Sequence, residues 1–302
     1  MSRLHIWVKE LRAEFLPASV TPVLLGTAIA HARTGQFDGA LLALTLAGVC
    51  LIHLASNVAN DYFDHLSGND VLNTQFVRPF TGGSRLIQDG LISPRTVLVM
   101  SLVLCAGAIA VGAVLTALRG PYIVLLGAIG IIGGFFYVAP PLSFAKRGLG
   151  EIVIGLNFGV LTVIGAHFVQ IRSVSAESLV ASLPLAGLIS AVVFINEFQD
   201  MNADARVGKR TLVVRMGLPK AARFFAVLAF VSYAPIVVGV ILRLMPPTTL
   251  LGLGTAPLML GAVLKAQRKY GSPKELAPAN ALTVASHMLT GLLMAAGYLM
   301  AG

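Results

Sequence analysis

Nine mainly apolar stretches, uncharged except for Arg223 near the start of one, run through this 302-residue chain, each about as long as a membrane is thick, and they leave it few folds to adopt. A hydrocarbon core about 30 Å thick needs about 20 apolar residues at a helical rise of about 1.5 Å. The stretches cover residues 15–32, 39–59, 96–118, 121–138, 152–171, 178–196, 221–242, 246–264 and 279–301. None alternates with period two, so their backbone groups are satisfied within helices and not in a barrel. The expected fold is an all-α membrane protein, a bundle of nine transmembrane helices. Apolar residues make up 56% of the chain and charged residues 12%, which excludes both a soluble globular domain and a disordered chain. Cys50 and Cys105 both lie in apolar runs and offer neither a disulfide framework nor a zinc cluster.

Lys and Arg set the expected orientation. Of the 22, 18 fall at the N-terminus and in the loops after the second, fourth, sixth and eighth stretches. Only Arg33, Arg119, Arg172 and Arg243 fall on the other face, so the N-terminus is expected to be cytoplasmic. The net charge of +9 is then a topology signal, and nucleic acid is not needed as a partner to explain it. Residues 1–302 read as one membrane domain with no obligate protein partner evident. Residues 1–14 read as an interfacial segment in which Trp7, Leu11 and Phe15 share a face. The first apolar run follows charges and lacks a small-residue cleavage site, so it is expected to be retained.

Eleven of the 13 acidic residues also lie on the basic face, where positive-inside bias does not require them. At the end of the second stretch, His53, Asn57, Asn60, Asp61 and Asp64 fall on one helical stripe about 100° wide, with Asp70 just beyond Gly68. At the end of the sixth, Asn196, Glu197, Asp200 and Asp204 do the same. The spacing Asn60-Asp61-x-x-Asp64 reappears as Asn196-Glu197-x-x-Asp200 four helices later. That suggests two parallel four-helix pseudo-repeats plus one helix. Both clusters then open long cytoplasmic loops, residues 60–95 and 197–220.

A carboxylate near mid-bilayer costs about 2.5–3.5 kcal/mol, so facing acidic clusters require compensating positive charge. Carboxylate and amide oxygens suit Mg²⁺, which is typically shared between one or two carboxylates and substrate phosphates. Basic residues flank each cluster: Arg78 and Arg85 after the first, Arg206, Lys209 and Arg210 after the second, and Lys146 with Arg147 between. Acids, metal and bases together describe a diphosphate site.

The pattern resembles the UbiA superfamily of intramembrane aromatic prenyltransferases along nearly the whole chain. The motifs that carry the resemblance are Asn60-Asp61-x-x-Asp64 and Asp200-x-x-x-Asp204. Asn60 to Asp70, Pro79 to Arg85 and Tyr137 to Glu151 are similar to the branch that prenylates dihydroxynaphthoate in menaquinone biosynthesis. Where the commonest form of the first motif has its third Asp, this chain has Gly68, and Asp70 takes that role, as in that branch. The resemblance implies that Asn60, Asp61, Asp64, Asp200 and Asp204 hold Mg²⁺, supported by Asn57, Asp70 and Asn196. It makes Lys209, Arg85, Lys146 and Tyr137 the candidates for gripping diphosphate oxygens, with Arg147 and Arg78 behind them. Polyprenyl diphosphate and a small aromatic acceptor are the implied partners, and a bacterial inner (cell) membrane the implied location.

Breaking an allylic C–O bond concentrates charge on the departing diphosphate, and fixed cations stabilise that transition state more than the ground state. The allylic cation must be shielded from water, which favours a cavity within the bilayer. No covalent enzyme intermediate is needed. Among the other intramembrane polar residues, His53 either orients Asn57 or the acceptor or is a packing histidine. Asn157, His167 and Gln170 either line the cavity or satisfy neighbouring helices. Gly130 with Gly134, and Gly155 with Gly159, read as close-packing faces. A polytopic transporter is the rival reading, but transporters usually hold ions near the midplane. Another acceptor, such as 4-hydroxybenzoate, is the rival within the enzyme reading.

Overall fold

The computed structural model describes residues 3–302, with side chains from His5 onward. Met1 and Ser2 of the expected interfacial segment lie outside the described residues. Among those described there is no strand, and every expected apolar stretch falls mainly on helix, with turns at residues 136–138 and 232–233. Seven helices are long and apolar enough to cross a membrane, or eight if the bent N-terminal pair is one span.

The N-terminal pair is α1 (Arg3–Leu11) and α2 (Pro17–Thr34). The chain bends by 48° between them. Arg12 adopts a left-handed φ of 50°, and Pro17 opens α2 where its missing N–H costs no hydrogen bond. The expected face of Trp7, Leu11 and Phe15 is therefore divided by the bend. Trp7 is 39% exposed, as an interfacial anchor requires, but Glu10 is fully buried.

Next come α3 (Gly39–Ser67) and the one-turn α4 (Asn69–Leu72), separated by Gly68 at φ 75°, a conformation glycine adopts without strain. Asp38 caps α3, accepting from the N–H groups of Ala40 and Leu41. With 29 residues α3 is about 43 Å long, so its last turns carry the first motif past the hydrocarbon. α5 (Pro94–Arg119) packs along it, Ser101 Oγ donating to the Ala55 carbonyl at 2.8 Å. The fourth stretch forms only the 14-residue α6 (Tyr122–Phe135), about 21 Å long and too short alone to cross the core.

The fifth stretch is α7 (Gly150–Ile154), a π-helical segment Gly155–Leu161 and α8 (Thr162–Ile171). α9 (Ala176–Arg206) is the longest helix at 31 residues and the most enclosed of the candidate spans. A box between Ser175 and Ser178 caps its start. After the five-residue α10 (Leu212–Met216) come α11 (Leu218–Val231), α12 (Ala234–Ile241), α13 (Ala256–Lys269) and α14 (Pro273–Ala301).

The main core wraps α9: Leu185, Leu188, Phe194 and Ile195 pack with Phe225 of α11, Met259 of α13 and Met294 of α14. Gly155 and Gly159 do give close packing, since a Cβ on Gly159 would lie 2.3 Å from Ala186 Cα. Gly130 differs: nothing lies within 4 Å of where its Cβ would be. Its missing side chain opens space instead of joining helices.

Candidate active site

The C-terminal turns of α3 and α9 face each other across a cavity of about 240 Å³. Asn57, Asn60 and Asp64 reach it from α3, and Asn196, Asp200 and Asp204 from α9, with Asp70 at its edge. The loop after α3 ties the two sides together. Asn69 Nδ2 donates to Asp204 Oδ1 at 2.6 Å, and Asn73 Nδ2 to Asp200 Oδ1 at 2.7 Å. After α9 the chain reverses through Gly208 (φ 70°), and the Lys209 N–H returns to the Asp204 carbonyl at 2.8 Å. That turn sets the Lys209 ammonium between the motifs, 3.6 Å from Asp64 Oδ2 and 3.5 Å from Asp204 Oδ1.

Asp61 is placed differently from the expected metal ligand. Its carboxylate accepts from the Ser84 N–H at 2.8 Å and lies 3.5 Å from Arg12 Nη1, and it does not line the cavity. Asp61 stood at the edge of its stripe, and the 79–85 segment occupies that side. A Cβ on Gly83 would come within 2.6 Å of its Oδ1, so only glycine lets the segment approach so closely. Asn196 also departs from the expectation. Its Oδ1 accepts from Asn280 Nδ2 of α14 at 2.7 Å, leaving its amide N–H groups, which are donors, for the cavity.

Of the diphosphate candidates, Lys209 and Tyr137 line the cavity and the others do not. Arg85 donates to the carbonyls of Asp70 and Asn73 and stacks over Phe76, 4.5 Å from the ring centroid. Arg78 donates to the Ser84 carbonyl. Arg147 donates to the Pro141 carbonyl, and Lys146 is exposed. These cations shape the loops, where unpaired carbonyls compete for them. Arg12, read in the sequence only as a topology charge, does line the cavity.

His53 lines the cavity with Nδ1 held 2.5 Å from Ser19 Oγ and its ring edge-on to Phe158. Asn157 instead faces a second, larger cavity of about 640 Å³, almost wholly apolar, between α3, α5, α6 and the α7–α8 segment. The two cavities meet at Ser56, Gly134 and Phe158. His167 lies outside both, its Nδ1 2.9 Å from the Ser173 carbonyl. Gln170 likewise lies outside both and bonds the backbone of Asp38.

Residues missed in the sequence are Arg12, Asn69, Asn73 and His287. Asn69 and Asn73 flank Asp70 with i, i+4 spacing, a signal that could have found them. His287 is a lone polar residue within an apolar run.

Six carboxyl groups line the cavity (Glu14, Asp64, Asp70, Glu197, Asp200 and Asp204) against two cations, Arg12 and Lys209. Burial would lower the Lys209 ammonium, but Asp204 and Asp64 outweigh it and hold it well above the usual lysine range. Burial, then the charges of Asp64 and Asp61, push the Asp70 carboxyl up to about 8. Such a cavity selects cations, and its carboxylate and amide oxygens are the donors Mg²⁺ prefers. Among the described residues no three acidic or histidine side chains converge on one point. An ion here would therefore complete its shell with water or a ligand's oxygens.

The Asp70 shift has a sign that can be tested. Its pKa when folded lies above the ordinary value, so between about pH 4 and 8 the native protein holds a proton that the unfolded chain has lost. Without metal, stability therefore falls as pH rises through that window. A divalent ion must displace the same proton, so Mg²⁺ should raise the melting temperature more near pH 8.5 than near pH 6.5. Asp70→Asn should flatten that difference. An equal Mg²⁺ effect at both pH values in the unaltered protein would remove Asp70 from the site.

Residues 19–299 match the model of the UbiA prenyltransferase family. The chain is 33% identical to a Mycobacterium tuberculosis protein named 1,4-dihydroxy-2-naphthoate octaprenyltransferase, over 92% of this chain and 91% of that one. Among solved structures it resembles a UbiA homolog from Aeropyrum pernix, with a TM-score of 0.70 and 17% identity over 93% of this chain and 97% of that one. It also resembles a UbiA homolog from Archaeoglobus fulgidus bound to DMAPP and Mg²⁺, with a TM-score of 0.61 and 16% identity over 95% and 99%.

Proposed function

Because the chain belongs to the UbiA prenyltransferase family, we propose that it transfers a polyprenyl group from an allylic diphosphate to 1,4-dihydroxy-2-naphthoate in menaquinone biosynthesis. The observation that carries this reading is the facing of the two acidic helix ends across a cavity that opens into a large apolar one. The first accommodates a diphosphate with its counterions, and the second an isoprenoid tail. The named activity of the Mycobacterium relative and the DMAPP and Mg²⁺ in the Archaeoglobus homolog support it. The surplus of Lys and Arg on the site's face argues for a cytoplasmic active site, and the bacterial relative supports a bacterial cell membrane.

Asn60, Asp64, Asp70, Asp200 and Asp204 would hold Mg²⁺, which when bound neutralises the diphosphate and stabilises the charge gained by its bridging oxygen. Lys209 lies between the two motifs and donates to the departing oxygens, and Tyr137 and the Asn196 amide add neutral donors. As the C–O bond breaks, the cationic allylic carbon sits where the two cavities meet, bounded by Phe158, Gly134 and Ser56. Apolar walls keep water from quenching it. An electron-rich ring carbon of the acceptor closes the new C–C bond, and the ring carboxyl leaves as carbon dioxide.

Incubating the purified protein with a labelled polyprenyl diphosphate, Mg²⁺ and a panel of aromatic acceptors tests the reading. Lipophilic product and carbon dioxide should appear with the naphthoate. Product with 4-hydroxybenzoate alone would reassign the acceptor, and no product with any acceptor would defeat the proposal.

The glycines around the apolar cavity give a separate test. A Cβ on Gly127 of α6 would meet nothing within 4 Å, so a larger side chain there projects into tail space. Gly127→Phe should lower kcat/KM for a long polyprenyl diphosphate by at least about tenfold while leaving dimethylallyl diphosphate nearly unchanged. Equal losses with both donors would place the tail elsewhere.

A further inference from the structure

His287 of α14 is fully buried, and neither of its ring nitrogens has a hydrogen-bond partner among the described residues. Leaving a buried polar atom unpaired is destabilising, so a side chain with two such atoms requires an explanation. His287 is also one of the residues lining the cavity between the two motifs. Its position along that cavity follows from how α14 runs against α9. Asn280 bonds Asn196 and Gln199, while Gly291 packs on Leu185. The helices are therefore antiparallel, and His287 lies level with Ile189. That is seven residues from Asn196, about 10 Å deeper than the amide and carboxylate end.

At this depth the cavity wall changes character. Ile189, Val192 and Val193 of α9 and Val284 and Met288 of α14 are apolar, and the polar groups among them are two imidazoles. His53, on the α3 side, already has Ser19 as a partner. The walls suit a flat apolar body that carries a hydroxyl, with an imidazole nitrogen ready to accept from it. An isoprenoid tail has no such group, and a diphosphate here would lie away from the amide and carboxylate end of the cavity. Of the other buried groups with unpaired atoms, His167 and Tyr298 line neither cavity, while Asn57 and Asn157 line a cavity from α3 and the π-helical segment and not from the wall between α9 and α14.

We infer that His287 reads the acceptor: one of its ring nitrogens accepts a hydrogen bond from a ring hydroxyl of the aromatic substrate lying between α9 and α14. This rests on the prenyltransferase reading and adds to it the residue that selects the acceptor. The diphosphate end and the tail cavity lie elsewhere, so altering His287 acts on one substrate only.

The test compares steady-state kinetics of the full-length protein and its His287 variants, with 1,4-dihydroxy-2-naphthoate as acceptor. His287→Leu should raise the acceptor KM at least tenfold and leave the prenyl diphosphate KM within twofold. His287→Gln keeps an acceptor atom and should recover most of the loss. A folded His287→Leu protein with an unchanged acceptor KM, or with both KM values raised alike, overturns the inference. A second readout needs no variant. As competitive inhibitors of the unaltered protein, non-prenylated naphthols should bind at least tenfold tighter than their methyl ethers, because the ether cannot donate to the imidazole. Equal inhibition by naphthol and ether overturns the inference even if no His287 variant folds. Transfer by the unaltered protein with no His287 effect removes this inference alone, whereas no transfer to any acceptor removes it together with the reading it rests on.

Discussion

Asp200→Ala should lower prenyl transfer by at least about 10³-fold while leaving the protein folded in detergent. Asp200 lines the cavity and accepts a hydrogen bond from Asn73, but it makes no ion pair among the described residues. Removing it takes one negative charge from a crowded acidic set, so the metal-free protein loses repulsion and little else. Its role appears only when a cation and a diphosphate must be held together. Turnover measured beside a thermal melt separates the two effects. Near-normal turnover in a folded Asp200→Ala protein would end the metal-site assignment. Asp61→Ala should behave differently, although it belongs to the neighbouring motif. Its carboxylate receives Ser84 and Arg12, so its loss should lower stability and activity together.

Lys209→Met should show the opposite dependence on metal. The Lys209 ammonium lies between Asp64 and Asp204, both partly or fully enclosed, and deleting it leaves two carboxylates facing each other. Breaking a buried pair of this kind costs about 3–5 kcal/mol. The metal-free variant should therefore melt well below the unaltered protein. Millimolar Mg²⁺ should restore much of that loss, because a divalent ion supplies the missing charge. Activity should stay at least about 100-fold down, since no donor replaces the ammonium on the departing oxygens. A melting temperature insensitive to both the substitution and Mg²⁺ would show that the two motifs do not share a cation.

Much of this arrangement is legible in the residue pattern, for a definite physical reason. Carboxylates and amides on a helix stripe that enters a membrane are costly, so Asn57, Asn60 and Asp64, like Asp200 and Asp204, point to the ligand that compensates them. Helical periodicity then fixes which side chains share a face, and the cavity receives them as the stripes indicate. What the pattern does not carry is the destination of groups that loops control. Arg85, Arg147 and Lys146 have long side chains near the site, and backbone carbonyls or solvent take them once the loops fold. Asp61 sits one position from a cavity-facing Asn60, and only the path of residues 79–85 decides that it turns away. Asn196 faces the cavity as its stripe requires, yet Asn280, 84 positions later, decides which of its atoms does so. The glycines show the same limit: Gly159 and Gly130 look alike in sequence, and only the neighbouring helix separates contact from open space.

Residues 5–12 are also less peripheral than their charge suggests. Glu10 is fully enclosed and accepts from Ser84 Oγ at 2.6 Å, Ser84 donates its N–H to Asp61, and Arg12 pairs with Asp61 while lining the cavity. The amino-terminal arm is thus a clasp on the reaction chamber, hinged at Arg12 and anchored outside by Trp7. Strain on this arm would therefore reach the chamber directly, through Glu10, Ser84 and Asp61.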